Sequence, residues 1–542
     1  MDIDLLTKFN RGLCLSLVDN NVVEAVRMYR EYTSYLHSKN DNEAYKNELI
    51  LTRNAFLKKI TEFSEDEKNK NKTGDLIACY QELIVAFPNE PVFYKKCAEC
   101  FKTLEQFDIE AELLEKNLKL LPNDMEILKT IYTAYDNSEQ LEKAKEIAEI
   151  IIEKEQNLAD NYYRLGEISD KLYNKYEKEE FLKKAILNVE IAKKLNPNKK
   201  LYPMALTVLY TKTGDLDKVK EAWDDCFKFK SQLTNIEYVD YAMFLIRMGD
   251  FKNGFKYYEK RFFVENKNVP YPKTNKPMYD GAKDISNKTL LVQSEQGFGD
   301  TFLFSRYFYE LKNKNINIIA RVPKSTEEII KRSFSFIKVI SNEDDLSTVN
   351  FDYHIPMMSI PMAISLNKDN LGKTASYLLA DENKTQKFKD TIFNNKKFKI
   401  GIIFKGRETG LKTRNIPLDE LLPITLIDNV QVYSLQFEEP DETFKDTNII
   451  NLAPYIKTFD DTASLINNMD LIISTDTSTM NLSGALGKKT FCLFNMIPEF
   501  RWFDLKGDDV KWYNSVKPYQ CKKQSEWKPV IVKMVEDIKN MI

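Results

Sequence analysis

Proline-led turns recur along the first half of the chain at a fixed interval. Pro88 opens "PNEPVFY" and Pro122 opens "PNDMEIL", 122 − 88 = 34 residues later. One step further, Gln156-Asn157 in "EQNLADNYYRLG" falls at 122 + 34. Pro197 in "NPNKKLY" follows 41 residues beyond Gln156, and "NKYEKEEF" is read as a short insertion accounting for the excess. Gly214-Asp215-Leu216 and Gly249-Asp250-Phe251 then recur at 249 − 214 = 35. Residues 1 to about 270 hold almost no strand-like segment, so the unit is a helix–turn–helix pair. One such pair cannot bury its apolar face alone. Stacked pairs can, and they form a curved solenoid whose concave surface suits peptide or protein.

From Lys288 the pattern changes to alternating strands and helices. Strands are expected at "TLLVQSE", "INIIARV", "FIKVIS", "FKIGIIF", "VQVYSLQ", "DLIISTD" and "TFCLF". Helices are expected at 301–313, 324–333, 417–424, 461–469 and 479–486. Alternation of this kind predicts parallel sheets covered by helices. The polar stretch from Leu366 to Lys397 divides the strands into two groups, hence two Rossmann-like halves with a cleft at their strand ends. The expected domains are a helical repeat over residues 1–270, a first α/β half over 285–385, and a second half with a C-terminal helix over 395–542.

Composition narrows the function. The chain has 542 residues, 43% hydrophobic and 30% charged, as in a globular protein of several domains. A formal net charge of −3 argues against a general nucleic-acid binder. Seven scattered cysteines imply a reducing compartment, and the acidic start "MDIDLLTKFN" is unlike a signal peptide. No apolar run reaches the ~20 residues of a membrane span. The expected location is therefore cytoplasmic.

Three loops carry candidate chemistry. In "LLVQSEQGFGDTFLFSRYF" a buried strand runs into Gly297 and Gly299, which allow a tight turn and close approach, and then into Asp300 and Thr301, good N-cap types. Such a strand–loop–helix unit suits phosphate binding. The second loop, "KGRETGLKTRNIPL", gathers Lys405, Arg407, Lys412 and Arg414, cations able to neutralise a leaving phosphate. In the third, Asp476, Thr477 and Ser478 open a helix of small residues and offer another anion site. Cys97-x-x-Cys100 has no second pair, and the chain holds only two histidines, so no metal site is expected. His354 in "DYHIPMMSIP" has no nucleophile nearby and is taken as structural or cleft-lining. Each of these positions also has a plain structural reading, as a helix cap or a solvated loop.

"LLVQSEQGFGDTFLFSRYF", "DYHIPMMSIP", "DDTASLINNMDLIISTDTSTMNLSGALGKK" and "PEFRWF…VKWYNSVKPYQ" together resemble proteins that fuse tetratricopeptide repeats to a glycosyltransferase family 9, heptosyltransferase-like domain. The approach segments "GDFKNGFKYYEKRF" and "MYDG" are similar as well. The resemblance implies an all-α TPR-like solenoid followed by an α/β GT-B module. It also implies metal-independent, inverting transfer from a nucleotide-sugar, with no further cofactor. Some relatives modify flagellin, so the implied acceptor is a protein, flagellin foremost, held by the repeats. By the same resemblance Asp300 matches the proposed general base. Asp476, Thr477 and Ser478 match the nucleotide-phosphate loop, and Asp461-Thr462 match the family's "DTA". Glu295, Gly297, Gly299, His354 and Asn481 are placed along the cleft, Glu295 and His354 being the next candidates for the base. Asn481 stands where the family typically has His, and the basic loop lacks the His expected of many relatives. Two other readings remain open: a non-catalytic repeat scaffold, and transfer to a lipopolysaccharide or lipid-linked acceptor.

Overall fold

The structure is a computed structural model that describes residues 22–38, 73–86, 88–265, 274–372, 376–406, 414–503 and 510–542, with a few isolated positions besides. The chain divides into two compact units, Met1–Tyr210 and Thr211–Ile542.

The first unit is a TPR-like array of helical hairpins. Helices Pro91–Thr103, Met125–Asn137 and Ala159–Tyr176 start 34 residues apart, each followed by a partner: Phe107–Leu120, Leu141–Lys154 and Glu179–Leu195. Apolar residues at helical spacing, among them Phe93, Cys97, Phe101, Ile127, Ile131, Tyr135, Leu165 and Ile168, fuse into one core. The extra residues at "NKYEKEEF" are not looped out. They lengthen the third hairpin, whose helices reach 18 and 17 residues.

The second unit begins inside the helix Leu201–Thr213 and contains its partner Leu216–Cys226 and one more hairpin, Asn235–Arg247 with Phe251–Tyr258. The last helical segment before the strands ends at Phe263 and the first strand begins at Thr289, whereas compaction divides the chain at Tyr210, about sixty residues before the expected end of the repeat domain at 270. The reason is packing: Val239, Ala242, Ile246, Phe251, Phe255 and Tyr258 share one core with Phe302, Phe304, Phe503 and Trp512.

Two all-parallel sheets follow. The first holds β1 (Thr289–Gln293), β2 (Asn317–Val322), β3 (Lys338–Ser341) and β4 (Tyr353–Pro356) in the order β3-β2-β1-β4. Leu291 sits opposite Ile319 on one side and His354 on the other. The second holds β5 (Phe398–Ile403), β6 (Val430–Ser434), β7 (Ile449–Asn451), β8 (Leu471–Thr475), β9 (Thr490–Phe494) and β10 (Val516–Gln520) in the order β10-β9-β8-β5-β6-β7. The central strands are buried on both faces, which is why they are continuous apolar runs. Strand order reverses between β1 and β4 and again between β5 and β8. Ligand sites of open parallel sheets lie at the carboxyl ends of strands at such reversals.

Candidate functional site

The three loops singled out in the sequence all leave strands that flank these reversals. After β1, the chain turns through Gln296, whose φ is +61°, and enters the helix Phe298–Ser305 with Gly297 as its N-cap. Asp300 is therefore not the cap residue expected from its side chain. It is the third helical residue, and its Oδ2 accepts the Gly297 N–H at 3.0 Å. After β8, Thr477 caps the helix Ser478–Ala485, its Oγ1 accepting the Met480 N–H at 3.3 Å.

These two helices pack start to start. A side chain at Gly299 would place its Cβ 3.1 Å from Asn481 Nδ2 and 3.4 Å from Ser478 Cα, so anything larger than glycine would have to push the Asn481 amide back. Deeper in the same contact, a Cβ at Gly484 would stand 2.6 Å from the Tyr513 ring. The seam thus brings Gly299, the residue before Asp300, from the first half, beside Ser478 and Asn481, from the second.

A loop between β9 and β10 completes the cluster. Arg501 Nε lies 2.6 Å from Asp300 Oδ1, and the same guanidinium pairs with Glu499. Burial pushes the Asp300 carboxyl up, against the pull of the Arg501 guanidinium, while Glu499 and Glu295 push it further up. Those opposing charges hold Arg501 above its ordinary value despite its burial. Burial also pushes Asp476 up to about 6, with Arg414 and Arg501 pulling down, Glu499 pushing up and a hydrogen bond to the Trp502 side chain opposing. Among the described residues of the basic loop, Arg414 is the cation that acts on Asp476. The loop is held at its ends, Gly406 N donating to Asn415 Oδ1 at 2.9 Å and Ile416 N to Phe404 O at 2.9 Å. Lys405 is engaged elsewhere, its Nζ paired with Glu439 at 2.9 Å. Arg407 and Lys412 lie outside the described residues.

Several expected cleft residues have other occupations. Glu295 is buried, not lining: Arg261 grips it through Nε at 3.1 Å and a second nitrogen at 2.6 Å, and Met358 N donates to it at 3.0 Å. The same arginine bonds Ser359 Oγ and Glu259, so Glu295 ties the segment Glu259–Phe263 to the end of β1. An acid so gripped is not available as a base. His354 is buried in β4 beneath residues 277–279, its backbone exchanging bonds with Pro277 and Tyr279. Burial lowers its imidazole, against a hydrogen bond to the Lys276 backbone. It braces the sheet edge.

Asp461 caps the helix Phe459–Asn467, accepting the Thr458 N–H at 2.9 Å, and pairs with Lys384 Nζ at 2.8 Å. With Asp460, Asp381 and Arg332 it forms an ionic seam. Thr462 is buried and bonds the Thr458 carbonyl. Asn481 is held between Tyr513 Oη, which donates to its Oδ1 at 2.9 Å, and the Thr477 carbonyl. Reasoning from sequence missed Arg501 and Glu499. Their one signal was "PEFRWF", which supports the resemblance without giving either residue a role.

Among the described residues no group of three or more His, Cys, Asp or Glu is placed to hold a metal ion. No described helix is long and apolar enough to cross a membrane. No protein-family model matches the sequence. The chain is 21% identical over 322 residues to Protein FlbA of Caulobacter vibrioides, covering 54% of this chain and 52% of that protein. The chain therefore spans about half the length of that relative. Among solved structures, MamA 41-end from Desulfovibrio magneticus RS-1 aligns at 19% identity and a TM-score of 0.28, over 33% of this chain and 97% of that one. TTC0263, a thermophilic TPR protein of Thermus thermophilus, aligns at 18% identity and a TM-score of 0.27, over 33% and 93%.

Proposed function

We propose that the two α/β halves form a GT-B glycosyltransferase that moves a sugar from a nucleotide-activated donor to an acceptor protein held by the repeats, flagellin being the favoured acceptor. The observation that carries this reading is the seam itself. The helix that carries Asp300 meets the hydroxyl-rich start of another at Gly299, and each helix leaves a parallel strand at a reversal of strand order. In the reaction Asp300 takes the proton of the acceptor hydroxyl. The hydroxyl oxygen attacks the anomeric carbon, and the bond from that carbon to the phosphate oxygen breaks with inversion. The departing phosphate meets the free N–H groups at Ser478 and its neighbours, the Thr477 start of the helix, and Arg414. Cations and N–H donors at that position replace the role a divalent metal plays in other transferases.

Donor binding is measured by calorimetry against UDP, GDP, ADP and CMP species with chelator present. Transfer is measured by the intact mass of flagellin with and without the protein. Asp300→Asn retains an oxygen acceptor for the Gly297 N–H but cannot take a proton. It is expected to bind donor within a few-fold of wild type and to transfer about 10²–10⁴-fold more slowly. Arg414→Ala is expected to cost about 1.5–3 kcal/mol in donor binding or barrier. A non-catalytic scaffold is the second reading, favoured by the occupation of both Asp300 oxygens and by Asn481 being locked to Tyr513. Absence of binding to every nucleotide tested selects it.

A further inference from the structure

The loop spanning residues 498–503 has no regular structure of its own, yet it is fastened along its length. The Arg247 guanidinium donates to the Pro498 carbonyl. Arg501 N donates to Glu499 Oε2 at 3.0 Å, and Trp512 Nε1 donates to the Arg501 carbonyl at 2.8 Å. Phe503 packs edge-on against Phe251, ring centroids 4.8 Å apart, and Trp502 packs against Phe494 at 5.2 Å. The Arg501 guanidinium lies over the Phe500 ring at 4.4 Å. Two of these anchors, Arg247 and Phe251, belong to the helical hairpin of residues 235–258. What this scaffolding delivers is one guanidinium edge, against the free oxygen of Asp300.

We propose that Arg501 is a positioning residue that holds Asp300 as an oriented carboxylate, and that the hairpin 235–258 holds Arg501. This rests on the transferase reading of Asp300. The groups facing Asp300 come from three elements. Glu295 lies on its own loop, with Arg261 already bound to Glu295 and Glu259. Tyr258 comes from the hairpin, and Glu499 and Arg501 come from the fastened loop. Burial and the two glutamates favour the protonated acid. Arg501 and the Gly297 N–H favour the carboxylate, which is the form that accepts a proton. Oδ2 accepts the Gly297 N–H and Oδ1 stands in ion-pair contact with the Arg501 guanidinium, so each oxygen of the carboxyl has a fixed neighbour.

Removing the arginine should return the acid to its protonated form at neutral pH. The acid limb of the kcat profile of Arg501→Gln is expected to move up by about 1 unit or more, since a charge in contact shifts a carboxylate by about 1–3 units. Activity lost at neutral pH should return at higher pH, with donor KM nearly unchanged. Arg501→Lys keeps the charge but not the fork, so its acid limb should stay near wild type while kcat falls at every pH. Glu499→Gln removes an opposing acid and should move the limb down. It also serves if Arg501→Gln fails to fold.

A readout independent of turnover comes from infrared difference spectra of each background against the same background carrying Asp300→Asn. A protonated carboxyl band near neutral pH is expected in Arg501→Gln and not in wild type. A uniform loss of rate across pH in Arg501→Gln, with no such band, overturns the proposal, as does an unmoved limb in Glu499→Gln. If wild type transfers no sugar at all, the transferase reading fails, and the spectra still decide the state of Asp300.

Discussion

If the site takes a nucleotide-sugar as proposed, Asp476 is the residue at which proton and phosphate compete. It follows the end of β8, one position before the cap of the helix Ser478–Ala485, and burial moves its carboxyl up to about 6 against Arg414 and Arg501. Above that pH a negative charge stands beside the place proposed for the donor's phosphates. The diphosphate of a nucleotide-sugar does not titrate there, so donor affinity should weaken as pH rises through about 6 for reasons of the protein alone. Calorimetry from about pH 5 to about pH 8 measures this, and Asp476→Asn should flatten the dependence at the tighter value. The stability sign agrees. A raised carboxylate binds its proton more strongly in the fold, so its contribution is complete below about pH 3.9 and is lost as pH rises through about 6. Asp476→Asn should then raise the melting midpoint at neutral pH. Asp476, Thr477 and Asp300 were legible because strand, loop and helix start are contiguous in sequence. Arg501 was not, because its partner is some two hundred residues away and its loop has no periodicity to read.

At the scale of elements, the hairpins of the array share a feature that the sequence half conceals. The turn between the helices of each pair carries a residue in the left-handed region: Glu105 (φ 57), Glu139 (φ 58), Glu177 (φ 53), Gly214 (φ 75) and Gly249 (φ 78). Glycine marks this turn in the later pairs and made their 35-residue spacing visible. In the earlier pairs glutamate occupies the same place, so their period had to be read from prolines instead. A non-glycine residue there costs about 1–2 kcal/mol, while glycine loses roughly 0.5–1 kcal/mol through the entropy of the unfolded chain. Glu139→Gly is therefore expected to stabilise the array by about 0.5–1 kcal/mol, as a shift of the urea midpoint at constant slope. The strands divide in a similar way. The seven expected from apolar runs are all present. Those not expected are β4, β7 and β10: a four-residue edge strand ending in Pro356, a three-residue edge strand, and an edge strand containing Pro518. Edge position removes the need for apolar residues on both faces and tolerates proline, which erases the signal that central strands carry.

At the scale of the whole molecule, the sequence placed the division where helices give way to strands, whereas the core divides at Tyr210. The difference decides which fragment can be expected to work. A chain starting near Lys252, within the last hairpin before the strands, discards Val239, Ala242, Phe244, Ile246 and Phe251, all buried. Full burial of a Val, Ile or Phe side chain is worth about 1.5–3 kcal/mol each. Their combined loss approaches the roughly 5–15 kcal/mol that holds a whole domain folded. Arg247 and its bond to the Pro498 carbonyl go with them. A chain starting at Gly214 keeps the complete core. It should melt cooperatively and bind the same nucleotide as the full chain, while the chain from Lys252 should aggregate or melt far lower. If the repeats recognise the acceptor, the Gly214 fragment should bind donor yet leave flagellin at its unmodified mass. Wild-type nucleotide affinity and midpoint in the Lys252 fragment would remove the hairpin from the site. Full-rate modification of flagellin by the Gly214 fragment would remove the first unit from acceptor recognition.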